Sequence, residues 1–197
     1  MLTCGENRVG HTGSNNFAAI EKHRAYLALL AQLQIDPRLQ GKVDLSGVVQ
    51  QTLWDACQAF EKAHLEDSNA RLAWLRQTLA HNLIDEIRKL TGQKQNALRE
   101  QSLERALEQS SIRLQSWLAA EISSPSQKIE RDERALQLAT ALSRLLPAER
   151  EVVVLRHWQD WSLAEIATHL GRTKAAVAGL LKRALHKLRE EIPGREG

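Results

Sequence analysis

Aromatic residues make up only 4% of this 197-residue chain, proline occurs four times and glycine ten times, and most of these breakers sit between periodic segments. Little remains with which to build sheet, so a chain dominated by Leu and Ala is expected to be almost entirely helical. The two cysteines, Cys4 and Cys57, form neither a metal-ligand spacing nor a disulfide framework. No apolar run approaches the ~20 residues needed to cross a bilayer, which excludes membrane insertion. Nothing before Phe17 reads as an apolar leader, so the expected location is cytoplasmic. A glycine-rich phosphate loop is lacking, and the nearest approaches to a catalytic constellation, His81 with Asp85 and Cys57 with His64, have no oriented third group. Neither catalysis nor a metal or other cofactor is expected.

What is present is globular: 43% of residues are hydrophobic, 26% are charged and the formal net charge is +3. So mild an excess permits a nucleic-acid partner only if the positive charge is local. The expected architecture is all-α, with two small helical domains joined by a linker. Residues 1–16 read as a flexible tail and 17–90 as an N-terminal helical domain, with helices near 17–33, 46–64 and 70–90 broken by Asp36-Pro37. In the third of these, Leu72, Leu75, Leu79, Leu83, Ile87 and Leu90 trace one apolar stripe. Residues 91–123 are rich in Gln, Ser, Arg and Glu and read as a linker with only short amphipathic patches. At Ser124-Pro125-Ser126-Gln127 a cap, a proline and a Gln announce a new helix, opening a C-terminal domain over 124–192 before a tail at 193–197.

Within that domain "WSLAEIATHLGRTKAAVAGLLKRALHKL" carries the most specific signal. Ser162 and Glu165 form a capping box, Gly171 stops the short helix, and Thr173 caps another on which Val177, Leu181, Ala184 and Leu188 recur at helical spacing. Two short helices joined by a turn containing Gly make a helix-turn-helix. The opposite face of the second helix is lean and positive. It comprises Lys174, Ala175, Ala178, Gly179, Lys182 and Arg183, with Arg172 and Thr173 at its start. Residues 172–189 hold six Lys or Arg and no acid. Small residues let a backbone approach a major groove, while Arg and Lys neutralise phosphates or donate to base edges. A single such module makes a small interface of ~600–1,000 Å², and no heptad seam offers a dimer, so something else must hold it on DNA.

These residues resemble the bacterial sigma factors of the extracytoplasmic-function (ECF) type. "LPAEREVVVLRHWQDWSLAEIATHLGRTKAAVAGLLKRALHKLRE" is similar to that family's second domain over some 45 residues, departing at Ala176 and Leu180. The resemblance implies that the face from Arg172 to Arg183 reads the −35 promoter element. "DLSGVVQQTLWDACQAF" looks like the family helix that grips core RNA polymerase, through Asp44, Val49, Gln50, Thr52 and Leu53, although Gly47 and Gln51 stand where acids are usual. "WLRQTLAHNLIDEIRK", with Trp74, Leu75, Asn82, Asp85 and Arg88, is similar to the helix that binds the −10 element. The residues implied for that contact are Asn69, Arg71, Arg76, Asn82, Arg88 and Lys89. Implied partners are core RNA polymerase and promoter DNA, with room for an anti-sigma factor or other regulatory protein.

Charge agrees with two contacts. Residues 71–99 hold Arg71, Arg76, Arg88, Lys89, Lys94 and Arg99 against Asp85 and Glu86. The loop 64–69, "HLEDSN", offers polar groups but no aromatic platform, and Trp74 reads more readily as core than as a stacking surface. A 33-residue linker spans up to ~110 Å when extended, whereas elements ~17 base pairs apart lie roughly 60 Å from each other. Two rivals share part of this pattern. A self-sufficient helix-turn-helix regulator leaves the Gln50 helix without a polymerase role, and a scaffold that binds only protein predicts no salt-sensitive DNA affinity.

Overall fold

The computed structural model describes residues 19–35, 39, 41–63, 68–92, 97–121 and 131–192. The tail 1–16, residues 64–67 of the expected polar loop, the Ser124–Gln127 cap and the tail 193–197 lie outside the described residues. Within them eight helices follow and no strand: α1 (Arg24–Gln34), α2 (Leu45–Ala63), α3 (Ser68–Thr91), α4 (Ala97–Glu121), α5 (Arg131–Arg144), α6 (Pro147–His157), α7 (Leu163–His169) and α8 (Lys174–Glu191).

The first three helices form because each carries one apolar face. Tyr26, Leu27 and Leu30 of α1, Val49 and Leu53 of α2, and Leu72, Leu75, Leu79 and Leu83 of α3 are buried together. The expected stripe on α3 fades at its end, where Ile87 is half-buried and Leu90 exposed. Truncating a fully buried leucine such as Leu79 to alanine costs about 2–5 kcal/mol. Asp44 begins α2 by accepting from the Gly47 N–H at 2.9 Å. A Cβ on Gly47 would come within 2.4 Å of Asp44 Oδ2, so the missing acid at Gly47 leaves space for the cap.

The segment expected to be a linker is the clearest departure. Residues 97–121 form one 25-residue helix, α4, that packs on α1, α3 and α5. Leu107 and Leu114 are fully buried, with Leu103 and Trp117 half-buried beside them. The polar residues between them are partly consumed inside the fold: the Tyr26 hydroxyl donates to Ser111 Oγ at 2.9 Å and Gln34 Nε2 donates to Ser110 Oγ at 2.8 Å. A narrow leucine seam flanked by serines that find buried partners folds as a helix although its composition is that of a tether.

Helix α5 joins the two halves. It packs against α1 and α4 and also against α8, so one apolar core runs from Ile20 to Ile192. Arg144 Nη1 reaches Glu191 at 3.1 Å on the solvent side of the α5–α8 contact. A second, smaller core of Val152, Leu155, Ile166, Ala167, Val177 and Leu180 holds α6, α7 and α8 together. The turn from α6 to α7 is bound to α4: Arg113 donates to the Trp158 carbonyl at 2.9 Å and pairs with Asp160, while Trp117 meets Trp158 edge-on at 5.3 Å.

Candidate nucleic-acid interface

Helices α7 and α8 are set by the signals their sequence carries. Pro147 occupies the first turn of α6, where a missing N–H costs nothing. The Ser162 hydroxyl accepts from the Glu165 N–H at 3.2 Å and Glu165 Oε2 accepts from the Ser162 N–H at 2.8 Å. Hydrogen bonding to the side chain and backbone N–H of Ser162 holds the Glu165 carboxyl below its usual range. Gly171 ends the pair's first helix at φ +60°, a left-handed turn that suits glycine. The Thr173 hydroxyl then accepts from the Ala176 N–H at 3.2 Å and starts α8.

Along α8 the apolar residues Val177, Leu180, Ala184 and Leu188 are buried. Arg172, Thr173, Lys174, Ala175, Ala178, Lys182 and Arg183 are exposed, and Gly179 is half-buried between Lys182 and Arg183. Among the described residues no acid pairs with Arg172, Lys174 or Lys182. Arg183 is different: its Nε lies 3.9 Å from Glu149 Oε1, with 62% of its side chain exposed. Glu149, only 2% exposed, also accepts from Lys187 Nζ at 2.8 and 3.0 Å. This buried carboxylate was not singled out from the sequence, where an acid in the first turn of a helix reads as a solvated partner of the helix dipole.

The second basic region is less open. Arg76 Nη1 donates to the Tyr26 hydroxyl at 3.4 Å, and Asn82 Nδ2 donates to Thr52 Oγ1 at 3.2 Å and Asp55 Oδ2 at 3.0 Å. Both turn toward the bundle and tie helices together. Arg88 pairs with Asp85 at 2.6 Å and Lys89 with Glu86 at 2.9 Å, each within one turn of α3. Arg71 is half-buried beside His23, and the Asn69 side chain lies outside the described residues. Trp74 packs edge-on against Phe60 at 5.3 Å, a core contact.

Of the residues implied for polymerase contact, only Asp44 and Gln50 are exposed. Val49, Thr52 and Leu53 are buried at 2%, 0% and 2%, and the Thr52 hydroxyl is spent on the Val48 carbonyl at 2.8 Å. In this structure those three side chains hold α2 in the bundle, and of them Leu53 reaches the rim of a surface depression. Sequence reasoning missed Trp54, 59% exposed, which with Arg24, Gly47, Gln50, Gln51 and Leu53 borders a depression of about 370 Å³. Its exposure follows from its place two positions past Thr52, off the buried face of α2.

A capped three-helix unit, α6 to α8, whose third helix is lean and cationic defines a helix-turn-helix DNA-binding domain. Residues 141–190 match the family Sigma-70, region 4. The chain is 47% identical over 64 residues to the RNA polymerase sigma-E factor of Streptomyces antibioticus, covering 32% of this chain and 35% of that one. The same identity and length relate it to the RNA polymerase sigma-E factor of Streptomyces coelicolor, covering 36% of that protein. The family assignment belongs to this C-terminal domain, residues 141–190. The matched stretch spans about a third of the length of these curated relatives. No helix among the described residues is long and apolar enough to cross a membrane.

Proposed function

We propose that the chain is a sigma factor: it binds core RNA polymerase, directs it to promoters and so begins transcription, without being itself a catalyst. The observation that carries this reading is the open cationic face of α8, with Arg172, Lys174 and Lys182 paired to no acid among the described residues, in the domain that matches Sigma-70, region 4. In this reading residues 124–192 bind the −35 element and residues 17–90 bind core polymerase and the −10 element. Asp44 and Gln50 stand at the exposed start of α2 for the polymerase contact, and Lys89, 73% exposed, is the most accessible cation on α3. Both partners act in the cytoplasm.

Run-off transcription with core enzyme on a promoter library tests it. The expected result is initiation at a defined subset of templates, dependent on this chain. Core enzyme that binds the chain yet initiates at no template defeats the proposal. Salt-sensitive duplex binding with no affinity for core enzyme would instead favour a self-sufficient regulator.

A further inference from the structure

The α8 face holds one cation that is exposed and yet anchored. Arg183 is 62% exposed, but its Nε faces the buried Glu149 carboxylate at 3.9 Å, and its Nη1 lies 3.5 Å from the point where a Cβ on Gly179 would stand. Ala176, Gly179 and Arg183 fall on one line of the helix, so the guanidinium folds back along a strip without large side chains. Glu149 is fixed in turn: it is 2% exposed, sits in the first turn of α6 and is gripped by Lys187, one turn beyond Arg183 on α8. A guanidinium that turns its Nε edge to this carboxylate at ion-pair distance leaves its two terminal nitrogens for another partner, and that planar fork matches two oxygens of a phosphate. Lys182 lies on the other side of Gly179 with no acid paired to it among the described residues, and so reaches its partner as a mobile point charge.

We propose that Glu149 is a positioning residue for DNA binding: anchored by Lys187, it aims Arg183 at a backbone phosphate flanking the groove into which α8 docks. The proposal rests on α8 being the DNA-reading helix of the function proposed above. It assigns a role to a buried acid of α6 beside the cationic face of α8, and it divides the cations of that face into an oriented one, Arg183, and those with no acid partner among the described residues, Arg172, Lys174 and Lys182.

The test uses the full chain and a fluorescein-labelled 20-base-pair duplex of random sequence, whose binding reports phosphate contacts alone. Affinity is measured from low to moderate salt. Arg183→Ala is expected to weaken binding by about 3- to 10-fold and to reduce the salt slope by about one. Glu149→Gln is expected to do the same at unchanged helical content, and the double variant to lose no more than either single one, because both remove one oriented contact. Arg183→Lys, a surface change that leaves the fold intact, keeps the charge without the fork, and is expected to bind more weakly than the unaltered chain while keeping more affinity than Arg183→Ala. The inference is overturned if Arg183→Lys binds like the unaltered chain, or if the two single losses add. A folded Glu149→Gln chain that keeps the full salt slope overturns it as well. An unaltered chain with no salt-dependent duplex binding defeats the DNA-reading assignment of α8 itself, and this inference with it.

Discussion

The Tyr26 hydroxyl donates to Ser111 Oγ at 2.9 Å, a buried hydrogen bond between helices α1 and α4 that are 85 residues apart in sequence. Arg76 Nη1 donates to the same phenol oxygen at 3.4 Å, so a single Tyr links three helices. Tyr26→Phe removes the shared oxygen and strands a buried Ser111 hydroxyl, which costs about 1–3 kcal/mol. The expected result is a lower urea midpoint with an unchanged slope. Ser111→Ala should cost less, because Tyr26 keeps Arg76 as a partner. Equal losses in the two variants would contradict this ordering.

His23 gives the fold an acid limit. It is 4% exposed, with Nδ1 3.0 Å from the Ile20 carbonyl, and burial pushes its pKa below the usual 6.5. The hydrogen bond with the Ile20 carbonyl and, less so, Glu133 of α5 favour protonation, but they do not offset burial reinforced by the charges of Lys22 and Arg71. The folded state therefore keeps the ring neutral where the unfolded chain takes up a proton. Stability from this residue is fully present above 6.5 and falls as pH drops below it toward the lowered folded value, by at most ~1.4 kcal/mol per pH unit. Replacing His23 with Gln is expected to flatten the fall in Tm between pH 7 and pH 5. A parallel fall in both proteins would show that other groups set the acid limit.

Legibility tracked how local each determinant is. Ser162, Glu165, Gly171 and Thr173 act on backbone groups within four residues, and each makes its expected contact. The bundle helices were legible from their leucine stripes. Helix α4 was not, because its seam of Leu103, Leu107 and Leu114 is diluted by serines whose partners, Tyr26 and Gln34, lie on another helix. The same limit applies to the interface. Exposure of Arg172, Lys174 and Lys182 followed from helical phase, but burial of Val49, Thr52 and Leu53 depends on which face of α2 the bundle covers. Glu149 was invisible for that reason too, since its partners Arg183 and Lys187 are 34 and 38 residues away.

Because α5 packs on α1 and α4 as well as on α8, the free chain is closed, and the proposed binding of two promoter elements would require it to open. A compact globule of this length has a radius of gyration of ~16 Å, whereas the elements lie ~60 Å apart. Dyes on Gln77→Cys of α3 and Glu190→Cys of α8, with Cys4 and Cys57 changed to Ser, are expected to show high energy transfer in the free protein. Core RNA polymerase with promoter DNA should lower it sharply. Unchanged transfer in a complex that initiates transcription would mean that the closed packing persists on the enzyme.

Gly179 sets stability against binding on α8. Its backbone is ordinary helix, and a Cβ there would make only van der Waals contact with Arg183 Nη1 at 3.5 Å, so alanine fits without strain. Relieving a glycine inside a helix is worth up to about 1 kcal/mol, and in a chain of this size that raises Tm by roughly 2–4 °C. The added methyl stands on the lean strip between Lys182 and Arg183, where a close approach of α8 to the groove needs the least bulk. Gly179→Ala is therefore expected to melt higher and to bind duplex DNA several-fold more weakly, at an unchanged salt slope because no cation is lost. If binding is unchanged while Tm rises, the helix approaches DNA by another face. If Tm falls, Gly179 is doing structural work that its open surroundings do not show.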